Sequence, residues 1–183
     1  VRSGNEYILN GTKAWVTNGG EADALIIIAQ TGAETGAPKL GAFIVEKGFP
    51  GFKITKIEEK MGLHSSPTAM VALEDCRVPA GNRLGEEGRG AAIALAGLDG
   101  SRIGIAAQAV GLSQQALELA VGYAKQREAF GKKIAEFQAL QFMIADIATL
   151  LDAGRLLTYR AADLCDRGRP FGKEAAMAKL FTS

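Results

Sequence analysis

The stretch Lys13–Gly20, with the sequence KAWVTNGG, decides the first half of the fold and contains the single tryptophan of the chain. Trp15 and Thr17 are two residues apart, and such residues lie on the same face of an extended strand. An indole beside a hydroxyl suits a planar heteroaromatic cofactor, because one packs on a ring and the other bonds a ring heteroatom. The alternative is a core tryptophan in a strand that ends in an Asn-Gly-Gly turn, and the stretch alone favours it.

Strand-like segments surround this stretch. Asn10-Gly11, between Tyr7–Leu9 and Lys13–Thr17, is a turn signal that predicts a β-hairpin. A Gly/Ala/Pro loop is predicted over Thr31–Leu40. Strands of this length separated by Gly and Pro turns predict an antiparallel sandwich or barrel. The further predicted strands are Ala24–Gln30, Gly41–Glu46, Phe52–Glu58 and Ala69–Cys76.

The pattern becomes helical after Val78-Pro79 and a Gly-rich, charged stretch at 81–90. Apolar residues at three–four spacing predict two long helices, and Pro170 suits the first turn of a third. Such wide apolar stripes need partner helices. The predicted fold class is therefore α+β, with an antiparallel β-sandwich or barrel domain at residues 1–82. Part of an up-and-down α-helical bundle is predicted at 83–183.

Composition excludes several classes of function. The net charge is +1 without a basic stripe, which argues against a nucleic-acid partner, and the apolar runs are too short for a membrane span. Cys76 and Cys165 are predicted to be free thiols, and a single histidine, His64, argues against a metal site. Because both ends fall inside predicted elements, we interpret the chain as a piece of a longer protein.

The segment Gln126–Lys132 between the two long helices combines an arginine, an aromatic and a flexible glycine. The planar donor fork of Arg127 suits phosphate oxygens, and Phe130 could stack on a base ring. Gln138, about three turns beyond Arg127 if the intervening loop is short, could bind a neighbouring polar group. The alternative is an ordinary polar connection with a hydrophobic plug and a solvated glutamine, and pattern alone favours it.

The sequence Asp99-Gly100-Ser101-Arg102 is predicted to open the first long helix. Asp99 and Arg102 share a helical face, so they form either a surface ion pair worth about 0.3–0.5 kcal/mol or a ligand-binding arginine with its positioning carboxylate. Ser101 has no His or Lys base at a meaningful spacing, which disfavours a serine hydrolase. Neither a Rossmann fingerprint nor a P-loop is present, so any dinucleotide is held by another architecture.

Together these segments resemble the acyl-CoA dehydrogenase family over essentially the whole chain. The likeness lies in Tyr7–Gly20, in Leu73–Pro79 followed by Leu84–Gly88, and in Arg127–Lys132 with Phe137-Gln138. The segments most similar to short-chain and short/branched-chain members are Gly104–Gln108, Leu156–Ala161 and Pro170–Leu180. The resemblance implies a chain that covers the family's middle β-domain and part of its C-terminal helical domain.

The resemblance also implies an FAD cofactor. Trp15 would lie against the isoalloxazine, Thr17 would bond near its N5 edge, and Val16 would contribute backbone contacts. The residues that reach the pyrophosphate and adenosine end of a neighbouring subunit's FAD would be Arg127, Phe130 and Gln138. The residues that line the acyl-CoA site would be Asp99, Gly100, Ser101 and Arg102.

The implied reaction is the α,β-dehydrogenation of an acyl-CoA thioester in fatty acid β-oxidation. A carboxylate base removes the α-proton while the β-hydrogen leaves as hydride to the flavin. Electrons then pass to an electron-transfer flavoprotein. The family forms homotetramers, as dimers of dimers. The implied compartment is the cytoplasm of a bacterium or the mitochondrial matrix of a eukaryote.

The sequence departs from the family pattern at the catalytic base. The usual base is a Glu that we expect beyond Ser183, and the position where some members carry it instead is Ser101 here. The chain by itself is therefore expected to show no dehydrogenase turnover. Ala91 replaces an aromatic of close relatives, which leaves the acyl chain length open. The alternatives are another flavin enzyme, such as an acyl-CoA oxidase or a flavin monooxygenase, or a non-catalytic acyl-CoA-binding or interaction protein.

Overall fold

The structure is a computed structural model that describes residues 1–34 and 37–183. Two compact units make up the chain, Val1–Leu95 and Ala96–Ser183. The first unit consists mainly of strands and the second mainly of helices. The α+β class predicted from the sequence is confirmed.

The first unit contains two antiparallel sheets. In order along the chain, its strands are β1 (Arg2–Ser3), β2 (Glu6–Thr17), β3 (Ala24–Glu34), β4 (Ala37–Glu46), β5 (Phe52–Ile57), β6 (Thr68–Pro79) and β7 (Arg83–Leu84). One sheet has the order β1-β2-β6-β5 and the other has the order β3-β4-β7. Every strand pair described in these sheets is antiparallel, as the turn-rich sequence predicts.

The core of this unit lies between the two sheets. The rings of Tyr7 on β2 and Phe43 on β4 have centroids 4.8 Å apart at a tilted angle of 57°. Both residues are almost fully buried. Because apolar side chains from both sheets meet in one cluster, the unit is a β-sandwich. The other buried members of the cluster are Leu9, Ile27, Val45, Val71, Leu73, Cys76 and Val78.

The hairpin predicted at Asn10-Gly11 is wrong. β2 runs through both residues without reversing, and its pairing with β6 shifts register between Leu9 and Gly11. The Asn10 amide nitrogen donates to Asp75 Oδ1 at 3.0 Å, and the Asp75 backbone N–H donates to Asn10 Oδ1 at 2.7 Å. Asp75 has φ +50°, so β6 carries a β-bulge at this point. Asn10 thus bonds across the sheet to a bulge instead of forming a turn.

Two predicted irregular segments also contain strand. β3 extends to Glu34 and β4 begins at Ala37, so most of the loop predicted over Thr31–Leu40 is paired; residues 35 and 36 lie outside the described residues. Within the Gly-rich stretch at 81–90, β7 pairs with β4 through Arg83 and Leu84. The glycines in these segments therefore occur in paired β-strands as well as in turns.

The second half of the chain is helical around a small β-ribbon. Its elements are α1 (Gly90–Gln126), β8 (Glu128–Ala129), β9 (Lys132–Lys133), α2 (Gln138–Asp166) and α3 (Gly172–Thr182). α1 begins earlier than predicted, so Asp99 lies in its third turn and does not open it. Pro170 precedes α3 by two residues and lies outside its first turn.

Small residues bring α2 and α3 together. Gly154 and Ala161 of α2 are buried, as are Ala175 and Ala178 of α3. A Cβ atom at Gly154 would meet Thr182 Cγ2 at 3.0 Å. The predicted apolar stripe of α2 is only partly covered, and Met143, Ile147 and Leu150 are 60%, 46% and 58% exposed. Among the described residues, no helix is long and apolar enough to cross a membrane.

Candidate functional site

Trp15 lies on a β-bulge with its indole in solvent. The β2–β6 pairing shifts register between Lys13 and Val16, with the extra residue on β2, and Trp15 has φ +54°. Its side chain is 77% exposed. The expected strand alternation between Trp15 and Thr17 is therefore interrupted at Trp15 itself. The alternative of a core tryptophan is wrong.

The residues after Trp15 form the predicted turn. Thr17 is the last residue of β2, pairs with Thr68, and is exposed. Asn18, at φ +54°, donates its backbone N–H to the Pro67 carbonyl at 2.7 Å and accepts from Ser66 Oγ at 3.0 Å. Within the part of the chain that the structure describes, the Thr17 hydroxyl has no hydrogen-bond partner. It therefore remains able to bond a ligand beside an accessible indole.

A second exposed aromatic lies at the tip of the β8–β9 ribbon. Ala129 pairs with Lys132, which leaves Phe130 and Gly131 as a two-residue connection with φ +53° and +80°. Positive φ at both central residues is the type I′ pattern that suits β-hairpins. Phe130 is 96% exposed. An aromatic residue in this conformation costs about 1–2 kcal/mol, which its own burial does not offset.

Phe137 supports this tip. Its ring meets that of Phe130 edge-on, with centroids 6.3 Å apart and an interplanar angle of 87°. Lys132 Nζ lies 4.5 Å from the centroid of the Phe137 ring. Edge-to-face pairs contribute about 0.5–1.5 kcal/mol and exposed cation–π contacts about 0.5–1 kcal/mol. These contacts are large enough to offset the strain at Phe130.

Arg127 and Gln138 flank the ribbon. Arg127 is exposed, its carbonyl accepts the Ile134 N–H at 2.9 Å, and its guanidinium forms no hydrogen bond or ion pair with any described residue. Gln138 is exposed and is the first residue of α2. The segment between them is a ribbon and a 3-10 turn, so helical turns do not separate them. Both side chains remain available to a polar ligand.

Asp99 and Arg102 form the predicted ion pair on α1. Arg102 Nη1 donates to Asp99 Oδ1 at 2.6 Å, and the two side chains are 36% and 30% exposed, respectively. Asp99 also borders a cleft of about 510 Å³ whose opposite wall is the segment 168–172. A Cβ atom at Gly172 would lie 2.7 Å from Asp99 Oδ2. The carboxylate thus faces the cleft wall and orients the arginine.

Gly100 and Ser101 are exposed on the same turn of α1. Ser101 Oγ donates to the Leu98 carbonyl at 2.9 Å, the local bond that serines commonly make within helices. Among the described residues it contacts no base, so its hydroxyl is not an activated nucleophile. The described residues also contain no cluster of His, Cys, Asp and Glu suited to a metal ion, and both cysteines are free.

One polar cluster of the β-sandwich was not predicted from the sequence. Glu87 Oε1 accepts from Tyr7 Oη at 2.5 Å and from Arg83 Nη1 at 3.1 Å, and Arg2 Nη1 lies 3.6 Å away. The Tyr7 hydrogen bond, followed by nearby cations, lowers the pKa of the Glu87 carboxyl. The sequence signal was weak, because Tyr7 and Glu87 are eighty residues apart.

The chain combines a β-sandwich that carries an exposed, strained tryptophan with long helices joined through a ribbon that carries an exposed phenylalanine. This combination defines the class of protein to which the chain belongs. Residues 1–76 match the acyl-CoA dehydrogenase middle domain, and residues 88–183 match the acyl-CoA dehydrogenase C-terminal domain. The chain belongs to the acyl-CoA dehydrogenase family. The resemblance inferred from the sequence is confirmed.

The chain is also similar to individual members of this family. The chain is 52% identical to acryloyl-CoA reductase (NADH) of Anaerotignum propionicum over 98% of its own length and 45% of that protein. It is 48% identical to the mitochondrial short-chain specific acyl-CoA dehydrogenase of Rattus norvegicus, over 98% of the chain and 44% of the relative. The solved structure of butyryl-CoA dehydrogenase from Megasphaera elsdenii superposes with a TM-score of 0.94 at 46% identity, covering 99% and 48% of the two chains. The chain thus spans less than half the length of each of these relatives.

The exposed residues fit the family's cofactor. Members of this family are FAD-dependent flavoproteins. Trp15 offers an accessible aromatic face, while the Thr17 hydroxyl and the Arg127 guanidinium have no partner among the described residues. These groups match a planar heteroaromatic ring and a pyrophosphate in chemical type. FAD is therefore compatible with the donor groups that these residues present.

Proposed function

We propose that the protein containing this chain is an FAD-dependent acyl-CoA dehydrogenase that acts on a short acyl-CoA thioester. The observation that carries the proposal is Trp15, an indole held in a left-handed conformation and left 77% exposed on the β-sandwich. A tryptophan that is strained and exposed to solvent lowers the stability of the free protein, and such strain is typical of sites that bind a ligand. Two family domains that together cover most of the chain support the same assignment.

In this proposal the β-sandwich binds the ring end of FAD. Trp15 would hold the isoalloxazine through its indole, the Thr17 hydroxyl would donate a hydrogen bond to a ring heteroatom, and the Val16 backbone would provide further contacts. When bound, FAD would supply the acceptor for the β-hydrogen of the substrate, which leaves as hydride. The indole would also shield the bound ring from water, which favours hydride transfer over competing reactions.

The helical unit binds the other end of FAD from a neighbouring subunit. Arg127 and Gln138 bind the pyrophosphate and adenosine portion, and Phe130 packs beside them. The proposal requires at least a dimer, and we propose the homotetramer that is typical of the family. On this reading, the partners are a second copy of the chain and an electron-transfer flavoprotein that accepts the electrons.

The substrate residues are Asp99, Gly100, Ser101 and Arg102. Arg102 binds a polar group of the acyl-CoA, and Asp99 fixes the guanidinium at 2.6 Å. Ser101 bonds the Leu98 carbonyl and has no base partner among the described residues, so it does not remove the α-proton. In this proposal the base is the Glu that the family resemblance implies beyond Ser183. The isolated 183-residue chain is therefore expected to have no turnover.

The reverse direction is the second candidate, because one relative at 52% identity is named acryloyl-CoA reductase (NADH). The full-length protein should be purified, its flavin absorption recorded, and its turnover measured with butyryl-CoA and a dye acceptor. A parallel assay with acryloyl-CoA and NADH, with and without electron-transfer flavoprotein, separates the two directions. A colourless full-length protein that shows neither activity would refute both candidates and favour a non-catalytic acyl-CoA-binding protein.

A further inference from the structure

The first residue of α3 lies directly against the Asp99 carboxylate. A Cβ atom added to Gly172 would lie 2.7 Å from Asp99 Oδ2 and 3.2 Å from Asp99 Cγ, which is too close for the carboxylate to stay where it is. The φ angle of Gly172 lies outside the left-handed region, so the backbone does not require a glycine here. What the glycine supplies at this position is space.

The space is used to hold the carboxylate between two positive groups. Asp99 Oδ1 accepts a 2.6 Å hydrogen bond from Arg102 Nη1, and Oδ2 faces the start of α3. Phe171, the residue before α3, forms no side-chain hydrogen bond that would cap the helix. The first N–H groups of a helix carry partial positive charge, which attracts a carboxylate. Asp99 is therefore restrained by the helix start as well as by the guanidinium.

The start of α3 is itself fixed by α2. Glu174, in the first turn of α3, pairs with Arg160 of α2 at 3.3 Å, and the Ala175 N–H donates to the Phe171 carbonyl at 2.8 Å. The helices also pack through small buried residues, which would have to separate if α3 moved away from Asp99. These residues are Gly154, Ala161, Ala175 and Ala178. An atom added at Gly172 would therefore displace the Asp99 side chain and leave the helix in place.

We propose that Gly172 is a positioning residue for acyl-CoA recognition. Its lack of a side chain lets the Asp99 carboxylate rest against the start of α3, where it holds the Arg102 guanidinium in place. Because both carboxylate oxygens belong to one planar group, a displacement of Oδ2 also moves Oδ1, the acceptor of the Arg102 hydrogen bond. This inference rests on the proposed function, in which Arg102 binds a polar group of the substrate.

The test uses steady-state kinetics of the full-length, flavin-loaded protein with butyryl-CoA and a dye acceptor. Gly172→Ala should raise KM about threefold, the size expected when a partly exposed ion pair is lost, and should change kcat by less than about twofold. Its melting temperature should not fall, because alanine favours a helix more than glycine does. The matched control is Gly111→Ala on α1, where nothing described lies within 4 Å of the added atom, and it should leave KM and kcat unchanged.

A double-mutant cycle with Asp99→Ala separates positioning from a structural role. Asp99→Ala alone should raise KM, and adding Gly172→Ala to it should raise KM no further, because the displaced carboxylate is already absent. An equal rise in both backgrounds, or a lower melting temperature together with a loss of kcat in Gly172→Ala, would overturn the inference. Wild-type KM in Gly172→Ala, with a raised KM in Arg102→Ala, would overturn it and leave the proposed function intact. Unchanged KM in both Arg102→Ala and Asp99→Ala would instead refute the proposed substrate contacts.

Discussion

Tyr7 Oη donates a 2.5 Å hydrogen bond to Glu87 Oε1, which ties the segment before α1 to the core of the β-sandwich. Tyr7 is 2% exposed, and Arg83 Nη1 bonds both its hydroxyl at 2.9 Å and the Glu87 carboxylate. The Tyr7 hydrogen bond is the main cause of the lowered pKa of Glu87. A carboxyl whose pKa falls on folding stabilises the native state in its ionised form.

We therefore expect Glu87→Gln to lower the free energy of unfolding at pH 7. The difference in unfolding free energy between the variant and the wild type should shrink at low pH. It should begin to shrink below pH 4.5, the ordinary pKa of a Glu carboxyl, and continue to do so through the lowered pKa of Glu87 in the folded state. The reason is that the wild-type carboxyl then also becomes neutral. Urea unfolding of the flavin-free protein at pH 7, 5 and 3 measures this. Glu21→Gln, at an exposed position, is the control. An equal loss at all three pH values would contradict the assignment.

Replacing Trp15 should affect protein stability and FAD binding in different ways. Trp15→Gly removes the strain of φ +54°, worth about 1–2 kcal/mol, and loses little burial because the indole is 77% exposed. The flavin-free variant should therefore be at least as stable as the wild type, although it should bind FAD more weakly. Thermal unfolding and FAD titration measure the two effects. A marked loss of stability with normal flavin binding would show that the indole is structural.

Arg127 should bind FAD through its geometry as well as its charge. Arg127→Lys keeps the charge but loses the planar donor fork, so the Kd for FAD should rise about tenfold, since hydrogen bonds to charged groups contribute about 1.5–3 kcal/mol. Arg127→Ala should raise it further. Lys173→Ala on α3 is the control, because this exposed cation forms no ion pair with a described residue. Equal affinity in wild type and Arg127→Lys would reduce the role of the guanidinium to charge alone.

The sequence predicted the sandwich because turn residues and alternating apolar residues are local signals. It failed at Asn10-Gly11, where the same dipeptide that forms hairpin turns bonds instead across the sheet to a bulge at Asp75. Local patterns do not report such cross-strand partners, since Asn10 and Asp75 are 65 residues apart. The same limit hid the hydrogen bond between Tyr7 and Glu87.

The sequence indicated which residues to consider for the candidate site, but it did not predict their geometry. Trp15 and Phe130 stand out in the sequence as aromatics next to Thr17 and Arg127. Their positive φ angles, which leave both rings in solvent, follow from register shifts and a ribbon that the spacing alone does not encode. The ring of Phe137 contacts Lys132 and Phe130, and sequence spacing alone does not predict these contacts.

Ser101 should be dispensable for chemistry. Its hydroxyl bonds the Leu98 carbonyl at 2.9 Å and contacts no base among the described residues. Ser101→Ala in the full-length protein should therefore change kcat with butyryl-CoA by less than about twofold, because no proton transfer depends on this oxygen. Steady-state kinetics with a dye acceptor measure this. A loss of kcat by orders of magnitude would place Ser101 in the chemical step.

Among the described glycines of the β-sandwich, Gly51 should be the least replaceable. It has φ +87°, and a Cβ atom there would lie 2.2 Å from the Glu74 carbonyl oxygen and 2.9 Å from Cys76 Cα, both backbone atoms of β6. Since the backbone of a central strand cannot yield locally, Gly51→Ala should cost at least about 2 kcal/mol of unfolding free energy. The added methyl group should push the backbone of β6 at the bulge around Asp75, so the hydrogen bonds between Asp75 and Asn10 should weaken as well.

Gly48→Ala is the matched control for Gly51→Ala, because nothing lies within 4 Å of the added atom. It should change the unfolding free energy by no more than about 0.5 kcal/mol. Urea unfolding of both variants gives the comparison, and hydrogen exchange at the Asp75 amide reports the bond to Asn10 directly. Equal costs for the two variants would mean that β6 relaxes around Gly51. In that case the bulge at Asp75 would not depend on the close approach of these two backbones.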